Sequence, residues 1–220
     1  MAGRTASDRA SDSQLRVLTL NLWGRGGDWA SRRCVLQRGL RELSPDLIAF
    51  QEAFKQDEHD TVAEIVAGEY HVYHQTTGLL GDGQCAAIAS RWPLQEVREL
   101  DQQLTPRAAD FPAMTLLVEI EAPEPVGPLL FVNHLPSWKR SSSTSASCRR
   151  SRRGRDQEMI EGKPMHCVLA GDLDAVPESA SIRFLRGLQS LGGLSVCYRD
   201  AGAARSLEIQ GARSPCRTRS

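Results

Sequence analysis

The chain has 220 residues, 40% of them hydrophobic, which is enough for one sizeable apolar core. Lysine plus arginine and aspartate plus glutamate both number 27, so the overall balance points to neither a nucleic-acid nor a membrane partner. The six cysteines (Cys34, Cys85, Cys148, Cys167, Cys197, Cys216) form no C-x-x-C pair, which argues against a zinc site or a disulfide framework. No run approaches the ~20 apolar residues that cross a bilayer.

Residues 1–14 are small and polar, lack the apolar stretch of a secretory signal, and read as a disordered leader of a cytoplasmic, monomeric protein. A strand is expected at about 15–21. A helix follows at about 29–43, with Trp29, Val35, Leu36, Leu40 and Leu43 near a 3.6 period, and Ser44-Pro45 stops it. Residues 47–50 are apolar on both faces and read as a buried strand. Asp57 to Ala67 reads as a helix ended by Gly68. Strands are expected at 70–74 and 85–89, then at about 113–121, 128–134 and 166–170, with a helix at about 178–188. Many adjacent strands with interspersed helices describe a layered α/β domain over about residues 15–200.

Four apolar strand runs each end in a short polar motif. Leu15 to Leu18 leads into Thr19-Leu20-Asn21, Leu47 to Phe50 into Gln51-Glu52, Leu129 to Val132 into Asn133-His134, and Cys167 to Ala170 into Gly171-Asp172-Leu173-Asp174. Strands that each deliver one amide, carboxylate or imidazole at the tip assemble a polar site on a rigid frame. The donor types are hard oxygens plus one imidazole, a set suited to a magnesium-type ion and phosphate chemistry. Glu52 needs a partner if buried, and a divalent cation is a ready one. An imidazole at His134 can stabilise a phosphoryl transition state, and Asp172 can orient or deprotonate a water. Asp174 lies on the side of Asp172 by strand alternation, so the pair needs a cation or a shifted pKa. Each residue also has a plain reading: a turn Asn21, a solvated strand-end Glu52, a structural His134, an Asp-rich turn before Pro177. Trp23 with Arg25, and Trp138 after His134, either line a substrate cleft or cap the sheet ends.

Leu18 to Asn21, Leu47 to Glu52, Ile88 to Leu94, Phe131 to Leu135 and Leu169 to Ala175 stand together in an order that resembles the endonuclease/exonuclease/phosphatase superfamily over about residues 15–200. The resemblance implies a four-layer α-β-β-α sandwich of two mostly antiparallel mixed sheets. It also implies hydrolysis of a phosphoester (nucleic acid, phospholipid head group or inositol phosphate) assisted by Mg2+ or Mn2+. By position, Glu52 would ligate the metal with Asn21 beside it. His134 would contact the scissile phosphate, Asp172 would handle the attacking water, and Asn133 and Arg91 would touch substrate. Asp174 stands where the family usually carries Asn, and an aspartate there repels phosphate unless a metal or proton offsets it.

Two segments fit the resemblance poorly. Residues 140–157 hold an irregular basic stretch with Arg140, Arg149, Arg150, Arg152, Arg153 and Arg155 where a covering helix is expected. Residues 201–220 have no strand pattern, and no histidine follows His166, although the family closes with an Asp-His pair. A shifted reading frame would account for both segments and would leave the fold incomplete at its C-terminal end and the activity impaired. The alternative function is non-catalytic binding of nucleic acid by the arginine run, which lacks interleaved aromatics for base stacking.

Overall fold

The computed structural model describes residues 14–66, 68–103, 111–136 and 166–204, which fall into two compact units divided between Asp174 and Ala175. In the first unit, β1 (Val17–Asn21) runs parallel to β2 (Leu47–Gln56). β2 pairs antiparallel with β5 (Gln84–Ser90), and β5 with β4 (His71–His74). The two-residue strand β3 (His59–Asp60) adds to the end of β2, making five strands in this sheet. A second sheet of four strands has the order β6 (Leu94–Asp101), β7 (Met114–Glu121), β8 (Pro128–Leu135), β9 (His166–Gly171). Its pairs are antiparallel except β8 with β9, which are parallel. No helix among the described residues is long and apolar enough to cross a membrane.

Side-chain alternation explains the layering. Leu47 and Ala49 of β2, with Ala86 and Ile88 of β5, pack against Leu116, Val118, Ile120, Leu129 and Phe131 of the second sheet. The intervening Ile48 and Phe50 face the other way, toward α1 (Trp29–Leu43) and α2 (Thr61–Val66), where Trp29, Leu40, Val62 and Ile65 complete a second apolar cluster. Helix α1 begins where the Asp28 carboxylate accepts the Ser31 N–H at 3.1 Å. It ends at Ser44 in a left-handed conformation whose N–H returns to the Leu40 carbonyl at 2.8 Å. Both helices described in this unit lie on the first sheet. The covering helix expected from 140–157 falls outside the described residues, as do the leader 1–13 and the tail from 205.

Two elements depart from the sequence reading. Strand β6 was not expected, because Leu94, Val97 and Leu100 recur every third residue. A register shift between Leu94 and Val97 in the pairing with β7 absorbs the odd residue, so both still face the core. The helix expected from Asp57 starts only at Thr61. Asp57 turns with φ of 54°, His59 and Asp60 pair back on Lys55 and Gln56, and the Asp60 carboxylate caps α2 by accepting from Val62 and Ala63 at 3.0 and 2.9 Å. In the second unit, α3 (Ala180–Leu185) is capped by Ser179, and the Leu185 carbonyl accepts the Tyr198 N–H at 2.7 Å.

Polar contacts join the sheets of the first unit. Asn133 on β8 is fully buried. Its Nδ2 donates to the carbonyls of Phe50 and Ala87 at 2.8 and 2.9 Å, and its Oδ1 accepts from Gln51 Nε2 at 2.8 Å. Elsewhere Glu99 on β6 accepts from the N–H groups of Thr76 and Thr77, at 2.6 and 2.8 Å, and from the Tyr73 hydroxyl at 3.0 Å. Burial pushes the Glu99 carboxyl up, but the bonds from Thr77, Thr76 and Tyr73 outweigh it and hold the group below the usual carboxylate range.

Asn133→Ala strips three buried partners at once and should cost roughly 2–3 kcal/mol in urea unfolding; an unchanged midpoint would contradict the inter-sheet role. Glu99 has a depressed folded-state pKa, so its contribution is complete above the unfolded value of about 4.3 and fades as pH falls through the lower one. The acid-side loss of stability should therefore be steeper in the wild type than in Glu99→Gln, as read by urea midpoints across that range.

Candidate active site

Parallel pairing aligns the C-terminal tips of β1 with β2 and of β8 with β9, and a bond from Asn21 to Asp172 brings the two pairs of tips together. Asn21 registers with Gln51, and His134 with Gly171. The Asn21 Nδ2 donates to Glu52 Oε1 at 2.8 Å and to Asp172 Oδ2 at 3.0 Å, so one amide ties a carboxylate of the first sheet to one that follows the second. Its Oδ1 accepts the Trp23 N–H at 2.9 Å, which fixes the amide's orientation. Asn21, which the sequence reading sets among the metal ligands, thus presents its NH2 to the cluster and aims Glu52 and Asp172.

Glu52 reaches this place through a bulge. The β2–β5 register shifts between Phe50 and Ala53, and Glu52 sits at φ of 48°, unusual for any residue but glycine. Phe50 and Ala53 both face the helix side, so Glu52 is the extra residue and swings out of the alternation. Without the bulge its carboxylate would enter that apolar layer. Gly171 has an equivalent role on β9: a Cβ there would stand 2.0 Å from the His134 carbonyl oxygen, so only glycine lets the strand turn toward Asn21.

Asp174 joins Asp172 differently from the expected strand alternation. Strand β9 ends at Gly171, and the Asp172 carboxylate accepts the Asp174 N–H at 3.2 Å in a turn with Asp174 at φ of 44°. Partial burial, then the charges of Asp172 and Glu52, push the Asp174 carboxyl up to about 6. Three carboxylates therefore share one negative field, and among the described residues no salt bridge reaches any of them. Such a field favours a cation. Among the described residues no three His, Cys, Asp or Glu side chains close on one point. Glu52 and Asp172, bridged by the Asn21 amide, are the two carboxylates that could hold such an ion.

His134 lies deeper than expected. It has no exposed surface, and its Nδ1 is 2.6 Å from Thr115 Oγ1. Thr115 in turn accepts from Gln102 Nε2 at 2.7 Å, which leaves its hydroxyl proton available for Nδ1. Burial holds the imidazole down at about 4, so it is neutral at physiological pH. Gln102 and Thr115 were not singled out from sequence; neither belongs to a recognisable motif, and only the β7–β8 register, with Thr115 opposite His134, reveals them. Asn133, expected at the substrate, is instead the buried inter-sheet joint. Arg91 is at the opposite end of β5 from the cluster. It donates to the Pro45 carbonyl at 3.0 Å, pairs with Glu69 at 3.2 Å, and stacks on Tyr70 at 4.6 Å. Trp138 and the arginines of 140–155 lie outside the described residues.

The sequence model of the endonuclease/exonuclease/phosphatase family matches residues 18–219. No curated protein matches the chain at the sequence level. Solved structures of similar fold include a mannosyl-6-phosphatase of Bacteroides thetaiotaomicron, with 18% identity, TM-score 0.64, and 77% of this chain and 69% of that one covered. Another is an endonuclease/exonuclease/phosphatase family protein of the same organism, with 20% identity, TM-score 0.63, and 77% and 66% covered. A third is D. rerio TDP2 complexed with a single-strand DNA product, with 19% identity, TM-score 0.57, and 75% and 62% covered.

Replacing Glu52 by glycine relieves both the left-handed strain and the mutual repulsion. Glu52→Gly is expected to leave the fold as stable as the wild type or more stable, by up to about 1 kcal/mol. A clear drop in the thermal midpoint would show that Glu52 is held there for structural reasons.

Proposed function

Because the chain belongs to the endonuclease/exonuclease/phosphatase family, we propose that it hydrolyses phosphoester bonds at the Glu52–Asp172 cluster, with a magnesium or manganese ion held by those two carboxylates. The observation that carries this reading is the Asn21 amide donating to both at 2.8 and 3.0 Å. An isolated pair of carboxylates would separate in water. Here an amide, a bulge and a strand-end glycine hold them together, and the arrangement is favourable only when a cation shares the field.

The ion, when bound, would polarise a phosphoryl oxygen and offset the charge that develops in the transition state. Asn21 keeps the two ligands aimed. Asp172 has a second oxygen, Oδ1, that among the described residues meets only the Asp174 N–H and can orient a water for attack or take its proton. Asp174, once ionised, reinforces the cation; its carboxylate also resists an approaching phosphate, so substrate and cation are expected to bind together. His134 reaches no solvent, so it acts from beneath the tip as a neutral group. Without a surface imidazole to stabilise the phosphoryl charge, turnover is expected to be slow.

The test is hydrolysis of bis-p-nitrophenyl phosphate and of plasmid DNA with and without magnesium. Cleavage should require the metal and vanish with chelator. Glu52→Ala and Asp172→Ala should each lower the rate by about 10²-fold or more while melting cooperatively. Hydrolysis that survives chelator or both substitutions, or no metal-stimulated hydrolysis by the wild type, would overturn the proposal.

A further inference from the structure

Next to the cluster a large aromatic ring is held in water. Trp23 is 62% exposed, two residues beyond Asn21, and its own N–H makes the bond that orients the Asn21 amide. It sits at φ of 50°, a conformation that bulky residues avoid. Arg32 lies 5.6 Å from the ring centroid and is itself anchored, with Nη1 donating to the Gly26 carbonyl at 2.7 Å and Nη2 to the carbonyl of Leu22. Gly26 packs so tightly that a Cβ would come within 2.8 Å of the indole. The Gly24 N–H donates to the Glu52 carbonyl at 2.7 Å, which fastens the loop to the bulge. None of this buries the indole, so core packing does not explain it.

We propose that Trp23 is the stacking platform that selects phosphoesters carrying a planar nucleobase. The inference rests on the phosphoesterase reading of the neighbouring carboxylates and adds the substrate class. A ring fixed in position loses little entropy when a base lies on it, and base–aromatic stacking tolerates any base because each has a π face. Its neighbours favour a nucleotide over an acyl chain. The ring is bordered by glycine backbone and the Arg32 guanidinium, and the exposed Arg25, placed over Phe54 at 5.7 Å, adds positive charge for a phosphate beside the three carboxylates. An acyl chain would need a continuous apolar surface here.

The experiment compares binding of two probes in magnesium buffer, the methylene phosphonate analogues of AMP and of ribose 5-phosphate, whose P–C bond resists hydrolysis. Wild type should bind the adenosine probe at least about fivefold more tightly than the base-less one. Trp23→Gly, which suits the left-handed backbone, should erase that preference and leave ribose-probe binding unchanged; Trp23→Phe should keep most of it. Gly26→Ala should weaken it too, by displacing the ring without removing it. Equal affinity of the wild type for the two probes, binding of neither, or a base preference that survives Trp23→Gly would overturn the inference. The outcomes separate the two readings. Loss of base preference in Trp23→Gly without any metal-dependent hydrolysis would sink the enzyme and keep the platform. Hydrolysis that needs Glu52, without base preference, would do the reverse.

Discussion

The buried amide pair Gln51–Asn133 is the joint on which the rest of the first unit depends. It sits where the two sheets face each other, with Asn133 also donating to backbone carbonyls of both β2 and β5. An amide can satisfy this many partners only at one spacing and one register, so the joint sets how the strand tips meet. In each dipeptide, Gln51-Glu52 and Asn133-His134, the first residue builds the frame and the second is delivered by it. That division follows from strand alternation on β8, and from alternation broken by one extra residue on β2.

Holding like charges together is costly, and the cost is distributed. Glu52 and Asp174 occupy left-handed backbone, and the Asp174 carboxyl is raised by its two neighbours. Each strained residue costs about 1–3 kcal/mol, a cost offset by the apolar, buried runs Leu47–Phe50 of β2 and Leu129–Val132 of β8. Strain concentrated beside an otherwise well-packed core is the pattern expected of a binding site rather than of a turn.

Much of the frame was legible in the sequence. Helix α1 showed a 3.6 period and a Pro45 stop, and it spans Trp29–Leu43 as read. The strands β5, β7 and β8 stand where short apolar runs predict them. Two mixed sheets in a layered arrangement, and the family itself, followed from five motifs in order. What stayed hidden depends on register. Strand β6 is polar, and its bulge puts Leu94 and Val97, three residues apart, on one face. The burial of Asn133 and His134 could not be told from exposure, because Asn-His at a strand end looks the same in either case. Arg91 belongs to a motif but lies at the far end of an antiparallel strand, and only pairing reveals which end is which. Gln102 and Thr115 belong to no motif, since a supporting hydrogen bond leaves no mark on composition.

Asn21 shows how one amide can serve the backbone and two side chains at once. Its amide was read as a neighbour of the metal; the Trp23 N–H claims the oxygen and turns the NH2 inward, making it a clamp for two carboxylates. The same backbone bond ties the exposed indole to the clamp, so the loop after β1 links whatever Trp23 meets to the aim of the acidic pair.

The most direct test of that pair is manganese binding followed by electron paramagnetic resonance, which needs no substrate and no turnover. One ion bound per chain, lost in both Glu52→Gln and Asp172→Asn while each variant still unfolds cooperatively, is the expected result. Retention of the ion by both variants, or no bound ion in the wild type, would contradict the claim that these two carboxylates converge on a single divalent cation.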